Sequence, residues 1–258
     1  MSRRAVSLRP AVRQAKISEL VAKRGEATVE SLSDAFDTSA ETIRRDLTVL
    51  AEAGQLRKVH GGARSFEPRG EGEFDARLRR NALAKRQIAE KLADLITPHM
   101  TLFLDTGSTT LICAQVLARI KNLTVITNST RIADTFVAGR GGAAVYLLGG
   151  RYRGDNAQTV GGEVISQIGS YHADMAILTV GAIDAGGGMD FSNHEAQVAR
   201  AMIKAAKTLT VVVDHSKFSR RASFGVCGLG EIDTLVTDRA PDAAMSAALA
   251  LAKVEVTG

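Results

Sequence analysis

Apolar residues at Ile43, Leu47 and Leu50 fall at i, i+4 and i+7, the spacing that places side chains on one stripe of a helix. Glu41, Arg44, Arg45 and Thr48 then point away from the stripe. Ser39 stands where an N-cap belongs and Gly54 where a C-terminal glycine stop belongs. Upstream, Val12, Ala15, Ile17, Leu20 and Val21 carry the same period, and Gly25 closes that helix. Glu26 to Val29 reads as a short extended link. Thr28 is the expected N-cap of a further helix with Val29, Leu32, Ala35 and Phe36 inward. Asp37-Thr38-Ser39 is a tight polar turn. Gln55 to His60 is extended and basic and ends in Gly61-Gly62, the pattern of a strand pair. Helix, helix, short turn, helix and basic strands together give the order of a winged helix-turn-helix.

Beyond it the pattern changes. Residues 64–78, with Pro68, Gly70 and Gly72 among charged residues, read as a linker. Arg79 to Ile96 is helical again, with Leu83, Ile88, Leu92 and Leu95 inward. From Met100 on, near-continuous apolar runs alternate with helical patterns. The runs are 102–104, 123–126, 145–148, 176–180, 209–213 and 235–236. The helical patterns are 109–120, 130–138, 162–169, 194–207 and 241–251. Such alternation predicts an α/β domain with a mainly parallel sheet covered on both faces. The expected organisation is therefore a two-domain α+β and α/β chain: a winged helix-turn-helix over 1–63, a linker over 64–78 and an α/β domain over 79–258.

Ligands of such sheets bind at the carboxyl ends of the strands, and here those ends are polar. Asp105-Thr106-Gly107-Ser108-Thr109-Thr110 follows a strand and opens a helix. A glycine for the turn, hydroxyl groups, and free backbone N–H groups at a helix start make an anion cradle. The stretch is neither a P-loop nor a dinucleotide fingerprint. Thr127, Asn128, Gly150, Asp184, Asp214 and Lys217 lie at other strand ends. Lys217 can neutralise a phosphate as a point charge. Asp105 and Asp214 can hold sugar hydroxyls or simply cap helices. Glu195 can offset the dipole of its helix or bind a sugar. Gly149 to Gly154 reads as a flexible lid.

Composition adds a location for the charge. The 258-residue chain has a net charge of +5 and a pI near 9.4. Residues 1–66 hold twelve Lys/Arg against eight Asp/Glu, so nearly all the excess sits on the winged domain, as a nucleic-acid footprint requires. Arg44 and Arg45 suit phosphates and guanine edges, though a solvated charged face is the alternative for that helix alone. Cys113 and Cys227 lack any disulfide or zinc spacing and read as buried thiols. The five histidines show no metal-ligand spacing, and no nucleophile motif stands out. The basic start has no apolar run behind it and no stretch reaches membrane-spanning length, so a cytoplasmic location is expected.

Thr42-Ile43-Arg44-Arg45-Asp46-Leu47, then Leu50, Gly54 and Leu56-x-Lys58-Val59-His60-Gly61-Gly62-Ala63, resemble the DeoR family of sugar-responsive bacterial transcriptional regulators. So do Arg77, Asn81, Lys85, Ile88 and Ala89, and in the C-terminal part Asp105-x-Gly107-Ser108-Thr109-Thr110, Thr127-Asn128-Ser129, Leu148-Gly149-Gly150, Ala173-Asp174, Asp214-x-Ser216-Lys217-Phe218 and Thr237-Asp238. The likeness runs from about Arg13 onward, with Thr38 replacing the usual aliphatic residue before Ser39.

The resemblance implies a repressor bound to double-stranded operator DNA through Ser39, Glu41, Thr42, Arg44, Arg45 and Thr48, with Arg57, Lys58 and His60 on the wing. It implies a sensor fold similar to sugar-phosphate isomerases. Ser108, Thr109 and Thr110 look like the isomerases' phosphate loop, and Glu195 stands where their glutamate base is kept. The isomerases also carry a lysine before the Gly-rich turn, and Ala185 to Gly188 offers none nearby. The expected site is therefore a binding site without catalytic residues, cofactor or metal. Its effector is a phosphorylated sugar that releases a homodimer or homotetramer from DNA. The alternative is a sugar-phosphate isomerase fused to a DNA-binding module.

Overall fold

The structure is a computed structural model. It describes residues 9–24, 26–53, 56–64 and 73–258, the side chains of 22–24 excepted. The chain forms two compact units, 1–72 and 73–258.

The first unit runs α1 (Pro10–Arg24), β1 (Glu26–Thr28), α2 (Val29–Phe36), α3 (Ala40–Glu52), β2 (Arg57–Val59) and β3 (Gly62–Arg64). Thr28 and Ser39 cap α2 and α3 by accepting from the N–H groups of Ser31 and Thr42, which satisfies donors the helices cannot use themselves. Asp37 ends α2 in the left-handed region at φ 46°. Ile17, Val21, Leu32, Ile43, Leu47, Leu50, Leu56 and Ala63 form the core. The expected strand pair is a three-stranded antiparallel sheet, because β1 pairs with β3 on the side opposite β2. Gly62 permits that pairing, since a Cβ there would lie 2.2 Å from the Ala27 carbonyl oxygen. On α1 the expected inward face is corrected. Val12 and Ala15 are exposed, while Arg13 turns inward. Ala35 is likewise exposed. The proposed stops at Gly25 and Gly54, and most of the 64–78 linker, fall outside the described residues.

The second unit opens with α4 (Phe74–Arg79), inside the stretch expected as linker. Phe74 is buried in the unit's core, so burial of an apolar side chain overrides the loop-like composition around it. Asn81, at φ 54°, separates α4 from α5 (Ala82–Ala93), so the helix expected from Arg79 is two helices. Leu83 is 84% exposed rather than inward.

Then follow β4 (Thr101–Leu104), α6 (Ser108–Leu117), β5 (Thr124–Thr127), α7 (Thr130–Val137), β6 (Ala144–Leu147), β7 (Arg151–Arg153), β8 (Gln158–Val160), α8 (Gly162–Ile168) and β9 (Ala173–Leu178). The rest are β10 (Ala182–Asp184), β11 (Gly187–Asp190), α9 (Asn193–Lys204), β12 (Ala206–Val212), β13 (Phe224–Cys227), β14 (Thr234–Val236), α10 (Ala243–Leu251) and β15 (Glu255–Thr257). Seven strands make an all-parallel sheet in the order β15-β14-β12-β9-β4-β5-β6. Phe103, Ala176 and Leu178 enter one core with α8, α9 and α10. Leu102, Leu104 and Ile177 enter the other with α5, α6 and α7. Alternation along single strands therefore feeds a core on each face, which explains the unbroken apolar runs.

The chain winds outward from β4 through β5 to β6 and then returns to place β9 on the other side of β4. The order reverses between β4 and β9, which opens the crevice where such folds bind ligands. The Gly149 to Gly154 stretch, expected as a flexible lid, contains β7, which pairs with β8, and Gln167 holds Gly149 through both its N–H and its carbonyl, each at 3.0 Å.

Candidate functional sites

In the first unit Ile43, Leu47 and Leu50 anchor α3, which turns Arg44 and Arg45 to solvent. The two arginines face Glu41 at 3.8 and 3.4 Å. Such exposed pairs contribute little and exchange readily for a stronger anion. Ser39 and Thr42 join their hydroxyls at 2.9 Å at the cap, so both help to define the start of α3. The Thr48 hydroxyl donates to the Arg44 carbonyl and accepts from Lys58 Nζ at 2.9 Å, which ties the wing to the helix. Arg57 and His60 are exposed beside it. Arg13, Gln14 and Asp46 were not foreseen. Arg13 donates to the Asp46 carboxylate at 2.6 and 3.3 Å, and Gln14 adds a bond at 2.9 Å. The available signal was a charge on each inward stripe, Asp46 between Ile43 and Leu50 and Arg13 four residues before Ile17.

In the second unit the loop after β4 lies at the crevice. Both Asp105 carboxylate oxygens accept from the Thr179 N–H at the end of β9, at 3.2 Å, bridging the point where the strand order reverses. Burial drives the Asp105 carboxyl well above the ordinary carboxylate range, and the charges of Asp190 and Glu195 push the same way. Gly107 leaves no room for a side chain, since a Cβ would meet Thr179 Cγ2 at 2.2 Å. No side chain caps α6 at Gly107. The Thr110 hydroxyl is spent on the Asp105 and Gly107 carbonyls. Ser108 Oγ accepts from Lys85 Nζ at 3.0 Å, and both residues are buried. A buried ammonium beside a helix start without a side-chain cap brings together the positive charge and the backbone donors that an anion requires. Thr109 is buried in the same turn.

A chain of side-chain bonds runs on from the loop. Thr106 donates to Asn128 Oδ1 at 3.1 Å, and Asn128 donates to Gln158 at 3.4 Å and to the Thr159 carbonyl at 2.9 Å. Gln158 and Asn156 both donate to Glu195 Oε1, at 2.7 and 2.9 Å. Arg77 donates to Asn156 Oδ1 at 2.7 Å. Asp214 accepts from Ser216 and from Asn81 Nδ2 at 3.0 Å. Burial acts to raise its carboxyl, but these bonds and the Lys217 charge outweigh it and hold it below the ordinary range.

Of the expected residues, Asp105, Ser108, Asn128 and Glu195 are thus joined by bonds or charge, and Asp214 with Lys217 adjoins α5 through Asn81. Thr127 holds the Ser129 N–H. Gly150 packs against Val164 at φ 156°. Asp184, at the end of β10, accepts from the Gly186 N–H in the β10–β11 turn and from Arg221 ahead of β13. Lys85, Arg77, Asn81, Asn156 and Gln158 were missed as site residues. Only Lys85 carried a usable signal, since 85, 88, 89 and 92 form one inward stripe and a lysine occupies its first place.

A basic winged helix-turn-helix and an α/β unit with a polar crevice define a ligand-responsive DNA-binding regulator. Residues 13–69 match the DeoR-like helix-turn-helix domain and residues 80–239 the DeoR C terminal sensor domain. The chain belongs to the DeoR family and is a DNA-binding transcriptional repressor of it. It is 34% identical over 236 residues to the glycerol-3-phosphate regulon repressor of Haemophilus influenzae, covering 91% of this chain and 92% of that one. It is 31% identical to the HTH-type transcriptional repressor CsqR of Escherichia coli, covering 92% and 91%. Both relatives fit the regulatory reading and not the isomerase alternative. A solved D-ribose-5-phosphate isomerase overlaps 52% of each chain at a TM-score of 0.39 and 17% identity, too slight a likeness to carry an argument. No described helix is long and apolar enough to cross a membrane.

Proposed function

We propose that this repressor acts on a sugar-metabolism operon and is released from its operator by a phosphorylated sugar or related metabolite bound at the carboxyl ends of β4, β5, β9 and β12. The observation that carries the reading is the Lys85–Ser108 contact at the start of α6. It gives a phosphate a fixed positive charge together with backbone donors. Glu195 supports the sugar end, since two amides from Asn156 and Gln158 hold its carboxylate in place. The site binds without turnover. Arg44 and Arg45 meet DNA in the major groove, and Arg57, Lys58 and His60 hold its backbone. The protein works in the cytoplasm as a homodimer or homotetramer, which sets two or more α3 helices on repeated half-sites. Effector binding shifts the population of DNA-competent arrangements by about 1–3 kcal/mol.

The test is a mobility-shift titration. A duplex selected by the protein from a random-sequence pool is challenged with sugar phosphates. Glycerol 3-phosphate comes first, because it stands in the name of a relative. Release by one phosphorylated ligand and not by its unphosphorylated form is expected. If no metabolite alters DNA binding, the sensing role is wrong.

A further inference from the structure

Among the described residues of the winged unit, Arg13 and Asp46 are the most deeply buried opposed charges, their side chains 6% and 5% exposed. Both side chains are buried, so neither is offered to DNA. Arg13 lies on α1, facing inward with Ile17 and Val21, and Asp46 lies on α3 directly after Arg44 and Arg45. We infer that this pair is a positioning device: it fixes the rotation of α3 about its own axis, and so decides where Arg44 and Arg45 stand in the groove.

Burying two charges in a small domain is poor value as stabilisation. Desolvation offsets most of the attraction, and apolar residues of like volume serve stability as well or better. What the pair supplies is direction. The other contacts of α3 in this core are made by aliphatic side chains and Phe36, which are non-directional and tolerate some roll. A guanidinium fork on a carboxylate does not tolerate it, because both bonds must be kept in plane. Gln14 adds a third bond to the same carboxylate at 2.9 Å, leaving little freedom at position 46. Successive residues of a helix are rotated by about 100°. Pinning Asp46 toward α1 therefore sets Arg45 about 100° round the helix from α1 and Arg44 about 200° round, on the far side. Neither Arg13 nor Gln14 reaches the recognition surface, so both act through Asp46.

The experiment separates positioning from folding. The full chain carrying Arg13→Met with Asp46→Leu keeps the volume and removes both charges. Helical signal and melting temperature are expected to equal or exceed the parent's. Affinity for a duplex selected by the parent from a random-sequence pool is expected to fall about tenfold or more. Affinity for poly(dI-dC), and its salt slope, should stay as in the parent, since no phosphate contact is removed. Selected-duplex affinity within twofold of the parent, or an equal loss on both DNAs, overturns the inference. If the double variant fails to fold, Arg13→Lys decides. It keeps the charge and loses the fork, so discrimination between the two DNAs should fall while the melting temperature holds. Unchanged discrimination in that variant also overturns the proposal.

Discussion

Lys85 Nζ donates to Ser108 Oγ at 3.0 Å and to the Arg77 carbonyl oxygen at 2.6 Å, so one buried ammonium joins the turn after β4 to the last turn of α4. Replacing it tests the anion site directly. Lys85→Met should weaken binding of a phosphorylated effector by about 1.5–3 kcal/mol, the range for a hydrogen bond to a charged group. Affinity for DNA without effector should persist. Calorimetric titration and mobility shift read the two separately. Effector affinity equal to the parent's would place the phosphate elsewhere.

Asp105 makes a prediction about pH. Burial raises its folded-state pKa well above 3.8, so the folded protein binds this proton more tightly than the unfolded chain. Between the unfolded and folded pKa values stability therefore falls as pH rises, and above both a constant penalty remains. Asp105→Asn removes the ionisation and can still accept from Thr179. Its stability relative to the parent should improve as pH climbs upward from about 4. Urea unfolding across that range measures it. A relative stability that worsens with rising pH would show that the carboxylate is held ionised.

Gly107 is required for space and not for an unusual backbone angle, since its φ is −163°. Gly107→Ala drives a methyl into Thr179 Cγ2, and forced overpacking of this kind costs about 1–3 kcal/mol. The loss should appear in the melting of the 73–258 unit together with weaker effector binding. A melting curve identical to the parent's would mean that the loop and β9 separate freely.

Arg44→Ala and Arg45→Ala distinguish the two modes of DNA contact. An arginine that reads a base should cost about 1–3 kcal/mol and relax specificity at one position. One that touches phosphate should lower the salt slope by about one, with specificity intact. If neither variant changes affinity or slope, α3 is not the recognition helix.

The legible parts of this chain were those written in local spacing. The stripe Ile43, Leu47, Leu50, the caps Thr28 and Ser39, and the apolar runs of the main sheet each depend on neighbours within a few residues. The β7-β8 hairpin, β10, β11, β13 and β15 escaped because polar residues or glycine leave them no apolar run of three, whereas the equally short β4 and β6 carry one. Leu83 was misplaced because position 81 takes a left-handed conformation that resets the helix. Phe74 was lost in a charged, glycine-bearing stretch whose packing partners are far off in sequence.

The site divides in the same way. Ser108, Thr109 and Thr110 could be singled out as candidates because a hydroxyl-rich turn between a strand and a helix is contiguous. Asn156, Gln158 and Glu195 could not be assembled, because a hydrogen bond across some forty residues leaves no periodicity. Asp184 shows that a carboxylate at a strand end also finds partners the sequence does not announce, here the Gly186 N–H and Arg221.

By itself the sequence determined the two-part order of elements, the basic winged domain with Arg44 and Arg45 on the open face of its third helix, and the polar turn at the end of β4. Hydrophobic periodicity and capping are local consequences of backbone geometry. Only the tertiary structure decided which charges are buried. Arg13 meets Asp46 across 33 residues and Lys85 meets Ser108 across 23. A charge is driven inside only when a partner is already there to meet it, and where that partner lies is a property of the folded chain.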